Sequence, residues 1–205
     1  MLIIGTGGLG KEVLGILITD SYSKEIVFYD ENINAPDLLY NKFKIIKSEL
    51  ELKNYLTNVS PDYISAIGHP RIREKLSLKI ENMGGIPANV ISKTSFVFPF
   101  LEIFEGCIIQ PGAGLSHGIK VGKGNAIHIN STIGHNVKLG KFVNIGPNAT
   151  IIGPCEIDDY AYISAQATIL PKIRIGKNAL ISANCIVNKD VQDNETYSDS
   201  SIINK

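Results

Sequence analysis

The sequence predicts a small α/β domain followed by a parallel coil of short β-strands, three strands to each turn. Three observations carry this. A glycine-rich turn between a hydrophobic strand and a helix opens the chain, and from Ile91 an aliphatic residue recurs at every sixth position. The third is a core without tryptophan and with only 7% aromatic residues, which suits thin, regular layers.

The chain has 205 residues, with 20 Lys plus Arg against 20 Asp plus Glu. A net charge of zero gives no electrostatic drive towards nucleic acid or anionic lipid, so neither is expected as a partner. A hydrophobic share of 44% and a charged share of 20% are those of a globular protein and exclude disorder. No apolar run approaches the ~18 residues of a membrane span. The opening MLIIGTGGLG has no basic segment and no small-residue cleavage site, so a cytoplasmic location is expected. Three cysteines in such a chain make no disulfide framework.

The first elements follow in order. LIIGTGGLGKEVLGIL reads as strand, turn and helix, with Gly5, Gly7, Gly8 and Gly10 where the chain turns sharply or approaches a ligand. EIVFYD is a second strand ending at Asp30. DYISAIGHP is a buried strand ending near Gly68, and RIREKLSLKIENMGG is the helix after it. This alternation predicts a parallel sheet, and ligands on such sheets sit beyond the carboxyl ends of the strands. Gly7, Gly8, Asp30 and Gly68 lie at those ends. Residues 1–88 are too few for a two-half dinucleotide fold, so the glycines serve either a smaller ligand site or tight packing.

The coil is read over 89–191, with 192–205 as a cap or tail. The aliphatic series runs from Ile91 through Val97, Ile103, Ile109 and so on to Val187 without a break. Small residues dominate two positions earlier, as at Cys107, Ala113, Asn125, Ala149, Cys155 and Cys185, and glycine often follows the aliphatic, where it suits a tight corner. Six residues make one short strand and one turn. Three such units close a triangle of 18 residues, and successive triangles stack at ~4.8 Å. The three cysteines fall on inward positions and read as core packing.

The chain has four histidines. Proton transfer at neutral pH calls for a base such as imidazole, and His135, two residues after an inward aliphatic, points outward at a corner. His117 precedes it by one 18-residue turn and lies on the same edge, lining the same groove or serving as a polar corner residue. His128 is a further groove candidate, and His69 faces the nucleotide-type loop or caps the helix after it. The histidine spacings and the inward cysteines fit no metal site, so no metal is expected.

The stretch INSTIGHNVKLGKFVNIGPNATIIG (129–153) resembles the hexapeptide-repeat acyltransferases, whose left-handed parallel β-helices usually assemble as trimers. With GTGGLGKEV, FYDEN and AIGHPRIR ahead of it, the chain from Met1 to about Asp190 resembles the sialic-acid O-acetyltransferase-like sugar acyltransferases. That family includes bacterial N-acetyltransferases of nucleotide-linked 4-amino-4,6-dideoxy sugars. The resemblance implies acetyl-CoA as co-substrate, a nucleotide-sugar as acceptor, and a homotrimer with active sites between subunits. It implies His135 as catalytic base with Asn136 beside it, where the family usually has Asp or Glu. It places Gly7, Gly8, Leu9, Asp30, Glu31 and Gly68 at the nucleotide-sugar, Leu9 standing where many relatives have His. It places Asn144, Gly153, Ala165, Ser182 and Ala183 along acetyl-CoA. The ending VQDNETYSDSSIINK lacks the family's usual Gly-x-Pro-Ala-Lys closure. The uncharged Asn136 favours N-acetylation; the alternatives are O-acetylation of sialic acid or another surface sugar, and a non-catalytic binding protein.

Overall fold

The computed structural model describes residues 1–32 and 34–198. The chain divides into two compact units, Met1–Val90 and Ile91–Lys205, against an expected boundary at 88/89.

The first unit is α/β. Its elements are β1 (Leu2–Ile4), α1 (Gly8–Thr19), β2 (Val27–Tyr29), β3 (Leu38–Leu39), β4 (Phe43–Ile46), α2 (Glu49–Asn58), β5 (Asp62–Ser65), α3 (Pro70–Asn82) and β6 (Ile86–Pro87). The sheet order is β3-β4-β2-β1-β5-β6, parallel except for the antiparallel β3–β4 pair. β1 lies at the centre with every residue buried, as expected of an uninterrupted apolar strand covered on both faces. The elements between Leu38 and Asn58 add to the expected ones. Ser48 starts α2 by accepting a hydrogen bond from Glu51 N at 3.3 Å, and acidic Glu49 and Glu51 suit the positive helix end.

The second unit is a parallel β-helix of two-residue strands in three sheets. One face runs from Val90–Ile91 through Ala126–Ile127 and Asn144–Ile145 to Thr196–Tyr197. The second carries Thr132–Ile133 and Thr150–Ile151, and the third Lys138–Leu139 and Glu156–Ile157. Up to Val187 each strand pairs with the one 18 residues later, as in Leu115↔Ile133 and Ile133↔Ile151, through bonds such as Gly134 N to Ile151 O at 2.8 Å. Among the described residues the second residue of each strand from Ile109 to Val187 is buried, together with the residue two positions before most of them. Burying an aliphatic side chain contributes about 1.5–3 kcal/mol, so this column stabilises the coil without large rings. The first turn is the exception: Ile91 is exposed and Val97 and Ile103 are half-buried.

Two features of the coil correct the sequence reading. The left-handed corner conformation does not fall on the glycine after the aliphatic. It recurs three residues after the aliphatic, mostly at glycine or asparagine (Gly112, Gly118, Gly124, Asn130, Asn136, Asn148, Asn178 and Asn184) but also at Phe142, Tyr160, Gln166 and Lys172, all with positive φ. Glycine and asparagine suit that conformation. Glycines directly after the aliphatic are there for space: a β-carbon on Gly146 would lie 2.7 Å from Ala165 N of the next turn. The last turn is also two residues short, because Val191 bridges Ile175 and Thr196 pairs with Leu180. Residues 192–198 therefore continue the coil; the rest of the expected cap or tail, 199–205, lies outside the described residues.

One polar side chain is built into the dry interior. Asn125 is fully buried; its Nδ2 donates to Gly122 O at 2.7 Å and Gly140 O at 2.9 Å, and its Oδ1 accepts from Val143 N. It joins two successive turns through their backbone groups.

Candidate active site

In the coil, His135 stands exposed immediately before the left-handed corner residue Asn136, whose φ is 57°. The corner therefore accounts for an asparagine at this position. Asn136 Nδ2 lies 3.2 Å from His135 Nδ1, within hydrogen-bond reach. His117 is one turn below, its ring parallel to that of His135 with centroids 5.5 Å apart and planes at 9°. Gly153 is one turn above, packed so tightly that a β-carbon would collide with the His135 carbonyl oxygen. His117, His135, Asn136 and Gly153 thus share one corner.

Asn144 lies elsewhere, on the first face. It is 1% exposed, its Oδ1 sits 3.1 Å from His128 Nε2, and its Nδ2 has no partner among the described residues. His128 is the groove candidate that finds a partner here. Ala165 and Ala183 occupy a third location, one turn apart at the corner between the first and second faces, with Ser182 beside them. The backbone N–H groups of Gly153, Ala165 and Ala183 have no hydrogen-bond partner among the described residues. At the remaining corner two of the matching N–H groups are taken: Asp159 Oδ1 accepts from Lys141 N and Asp193 Oδ1 from Lys177 N, both at 2.9 Å.

In the α/β unit the glycines separate by role. Gly5 has φ +96°, and a β-carbon on Gly10 would strike the Gly5 carbonyl oxygen, so these two serve the turn and helix packing. Gly7, the N-cap of α1, and Gly8, its first residue, face open space. The Leu9 side chain is buried in the core, so only its backbone can meet a ligand. Gly68 is exposed after β5. His69 occupies the N-cap position of α3 but its side chain makes no capping bond, which removes the capping reading.

The acidic pair is already engaged. Asp30 Oδ2 accepts from the Thr6 hydroxyl and from Thr6 N, and Oδ1 accepts from Asn32 N at 3.0 Å. Burial pushes this carboxyl up, but the Thr6 hydroxyl and the two backbone N–H groups outweigh it and hold it below its ordinary value. Glu31 pairs with Lys79 Nζ at 2.7 Å, and Glu49 joins the same cation at 2.5 Å. Those bonds, Glu31 first, raise the Lys79 ammonium above its ordinary value. Sequence reasoning also missed Arg73. Its side chain is fully buried, and one guanidinium nitrogen donates to Ile67 O at 2.7 Å and Gly68 O at 3.1 Å, fixing the loop that carries Gly68. Nothing in the charged helix RIREKL marks that arginine as buried.

Among the described residues no group of three metal-ligating side chains comes together, and no helix is long and apolar enough to cross a membrane. Residues 1–80 match the PglD N-terminal domain, and residues 136–171 match the bacterial transferase hexapeptide repeats. No curated protein matches significantly. Among solved structures, WeeI from Acinetobacter baumannii is 27% identical with a TM-score of 0.87, the match covering 95% of this chain and 94% of that one. The acetyltransferase domain of PglB from Neisseria gonorrhoeae, solved with acetyl coenzyme A, is 26% identical with a TM-score of 0.86, over 95% and 93%. A variant of perosamine N-acetyltransferase from Caulobacter crescentus, solved with CoA and GDP-perosamine, shares the fold at 22% identity, with a TM-score of 0.87 over 95% and 91%. The chain thus joins a PglD N-terminal domain to a left-handed β-helix of transferase hexapeptide repeats, the architecture it shares with these structures.

Proposed function

We propose that this chain is an acetyl-CoA-dependent N-acetyltransferase acting on the 4-amino group of a nucleotide-linked 4-amino-4,6-dideoxy sugar in bacterial surface glycan synthesis. The observation that carries the reading is the exposed His135 imidazole, hydrogen-bonded by Asn136 at an open corner of a transferase-type coil that follows a PglD-type unit. The GDP-perosamine and acetyl coenzyme A complexes of the structural relatives support both substrates.

The chemistry follows from those groups. The sugar amine attacks the thioester carbonyl carbon, and the C–N bond forms. The amine proton passes to the lone-pair nitrogen of the neutral His135 imidazole. The unpaired N–H groups at the coil corners suit the oxyanion and the amide-rich arm of CoA. Collapse breaks the C–S bond, and the departing thiolate takes the proton back from the imidazolium. At the other substrate, residues 1–88 receive the nucleotide. Gly7 and Gly8 leave room at the positive end of α1 for its phosphates. Asp30 and Glu31, held by Thr6 and Lys79, offer their remaining lone pairs to the base or ribose. Residues 89–191 form the acyl-transfer coil, which 192–198 continue.

His135 and Gly153 lie on one corner, and Ala165, Ser182 and Ala183 flank another, with the Thr132–Thr150–Thr168 face between them. A homotrimer, as the resemblance implies, sets the first corner of one copy against the second corner of the next and completes the acetyl-CoA groove. Both proposed substrates are charged and membrane-impermeant, which supports a cytoplasmic location for the reaction.

The test is product analysis after incubation with acetyl-CoA and UDP-, dTDP- or GDP-linked 4-amino sugars. A hydroxylamine-resistant acetyl product from one of them is expected. A hydroxylamine-labile product would make the enzyme an O-acetyltransferase, and no acetyl-CoA binding by calorimetry would make it a non-catalytic binder.

A further inference from the structure

Three rings climb the His135 corner. Phe98 meets His117 edge-on, with centroids 6.0 Å apart and planes at 65°, and His117 lies flat beneath His135. The backbone sets this spacing: Ser116 N donates to Ile133 O and Asn136 N to His117 O, both at 3.0 Å, so the two imidazoles leave adjacent turns side by side. The column stops at His135 because the next position up is Gly153. One face of the His135 ring is therefore covered by His117, while the glycine above places no side chain over the other.

An exposed imidazole otherwise has two free side-chain torsions. Asn136 restrains rotation within the ring plane through its 3.2 Å contact to Nδ1. It cannot fix the plane itself, since one hydrogen bond is a hinge. A parallel ring one turn below can. We propose that His117 is a positioning residue for His135: it is a shelf that holds the plane of the catalytic imidazole, leaving the edge and the Gly153-side face to the thioester and the amine. The shelf adds to the Asn136 hydrogen bond, which brings no charge of its own to order the ring. Phe98 braces the shelf from beneath. The proposal rests on His135 as the proton acceptor.

The test compares His117→Ala, His117→Phe and His135→Ala in the full-length protein, with acetyl-CoA and the nucleotide-linked 4-amino sugar that turns over. His117→Ala is expected to lower kcat about tenfold, a modest share of what misplacing a reacting group costs, with both KM values within about twofold of the parent. His117→Phe, which keeps a flat ring, recovers most of the rate. In the free protein, ¹³C relaxation of the labelled His135 ring shows greater disorder in His117→Ala and recovery in His117→Phe, a readout that needs no substrate. Unchanged kcat and ring order in His117→Ala would overturn the proposal. So would a loss confined to the acceptor KM, which would make His117 a substrate contact, or a His117→Phe variant no better than His117→Ala. If His135→Ala itself retains full turnover, the underlying reading of His135 fails first, and the relaxation experiment still judges the shelf.

Discussion

Gly153 lies directly above His135 on the same corner, its α-carbon turned against the His135 carbonyl with no room for a side chain. The glycine is thus demanded by the stacking of two turns, since backbone on both sides cannot yield as a flexible side chain would. Gly153→Ala is expected to destabilise the coil by about 1–3 kcal/mol, the usual range for overpacking. It should also lower turnover by shifting His135. Thermal melting and thiol-release kinetics check the two effects separately; an alanine variant as stable as the parent would contradict the packing.

Asp30 ties the loop after β1 to the end of β2. Asp30→Asn keeps the shape but loses the charge that three donors address, and is expected to cost about 1.5–3 kcal/mol. The carboxyl sits below its ordinary value in the folded protein, so its contribution is complete above the unfolded value of 3.8 and is lost as pH falls through the lower folded one. Denaturant titrations should therefore show a flatter acid limb in Asp30→Asn than in the parent.

Lys79 behaves in the opposite sense. Its ammonium is raised by Glu31 and Glu49, so its stabilisation is complete below the unfolded value of 10.5 and fades as pH climbs through the higher folded one. Its side chain keeps 29% exposure, which limits the pairs to about 1 kcal/mol. Lys79→Met is expected to lose about that much at neutral pH and to flatten the alkaline limb. It should also free Glu31, which nucleotide-sugar binding by calorimetry would register as a changed affinity.

Asn125 offers the sharpest stability test in the coil. Asn125→Ala removes the partner of the Gly140 carbonyl in a dry interior, together with the bonds to Gly122 O and Val143 N. Each unpaired group costs about 1–3 kcal/mol, so a loss above about 2 kcal/mol is expected from urea unfolding.

The coil was readable because one aliphatic per six residues is a rule of backbone geometry repeated along half the chain. The same geometry writes a second period, Gly112, Gly118, Gly124, Asn130, Asn136, which marks the left-handed corners and explains the asparagine beside His135. The shortened last turn escaped because Val191 follows Val187 by four residues and breaks the six-residue frame. In the α/β unit, α2 was not expected although the Ser48-x-x-Glu51 capping signal could have marked it, whereas β3, of two residues, carries no pattern of its own. The 18-residue spacing put His117 and His135 on one edge, yet the parallel stack of their rings depends on side-chain torsions. Pairs such as Glu31 with Lys79 and Thr6 with Asp30 join segments far apart in sequence, and no local signal announces them.

The most direct test is a crystal structure of the protein with CoA bound. The account predicts the CoA sulfur within hydrogen-bond reach of the His135 imidazole, with the pantetheine arm running between that corner and the Ala165–Ala183 corner of a neighbouring copy. A sulfur lodged away from His135, or an arm held by a single copy with no neighbour beside it, would contradict the account.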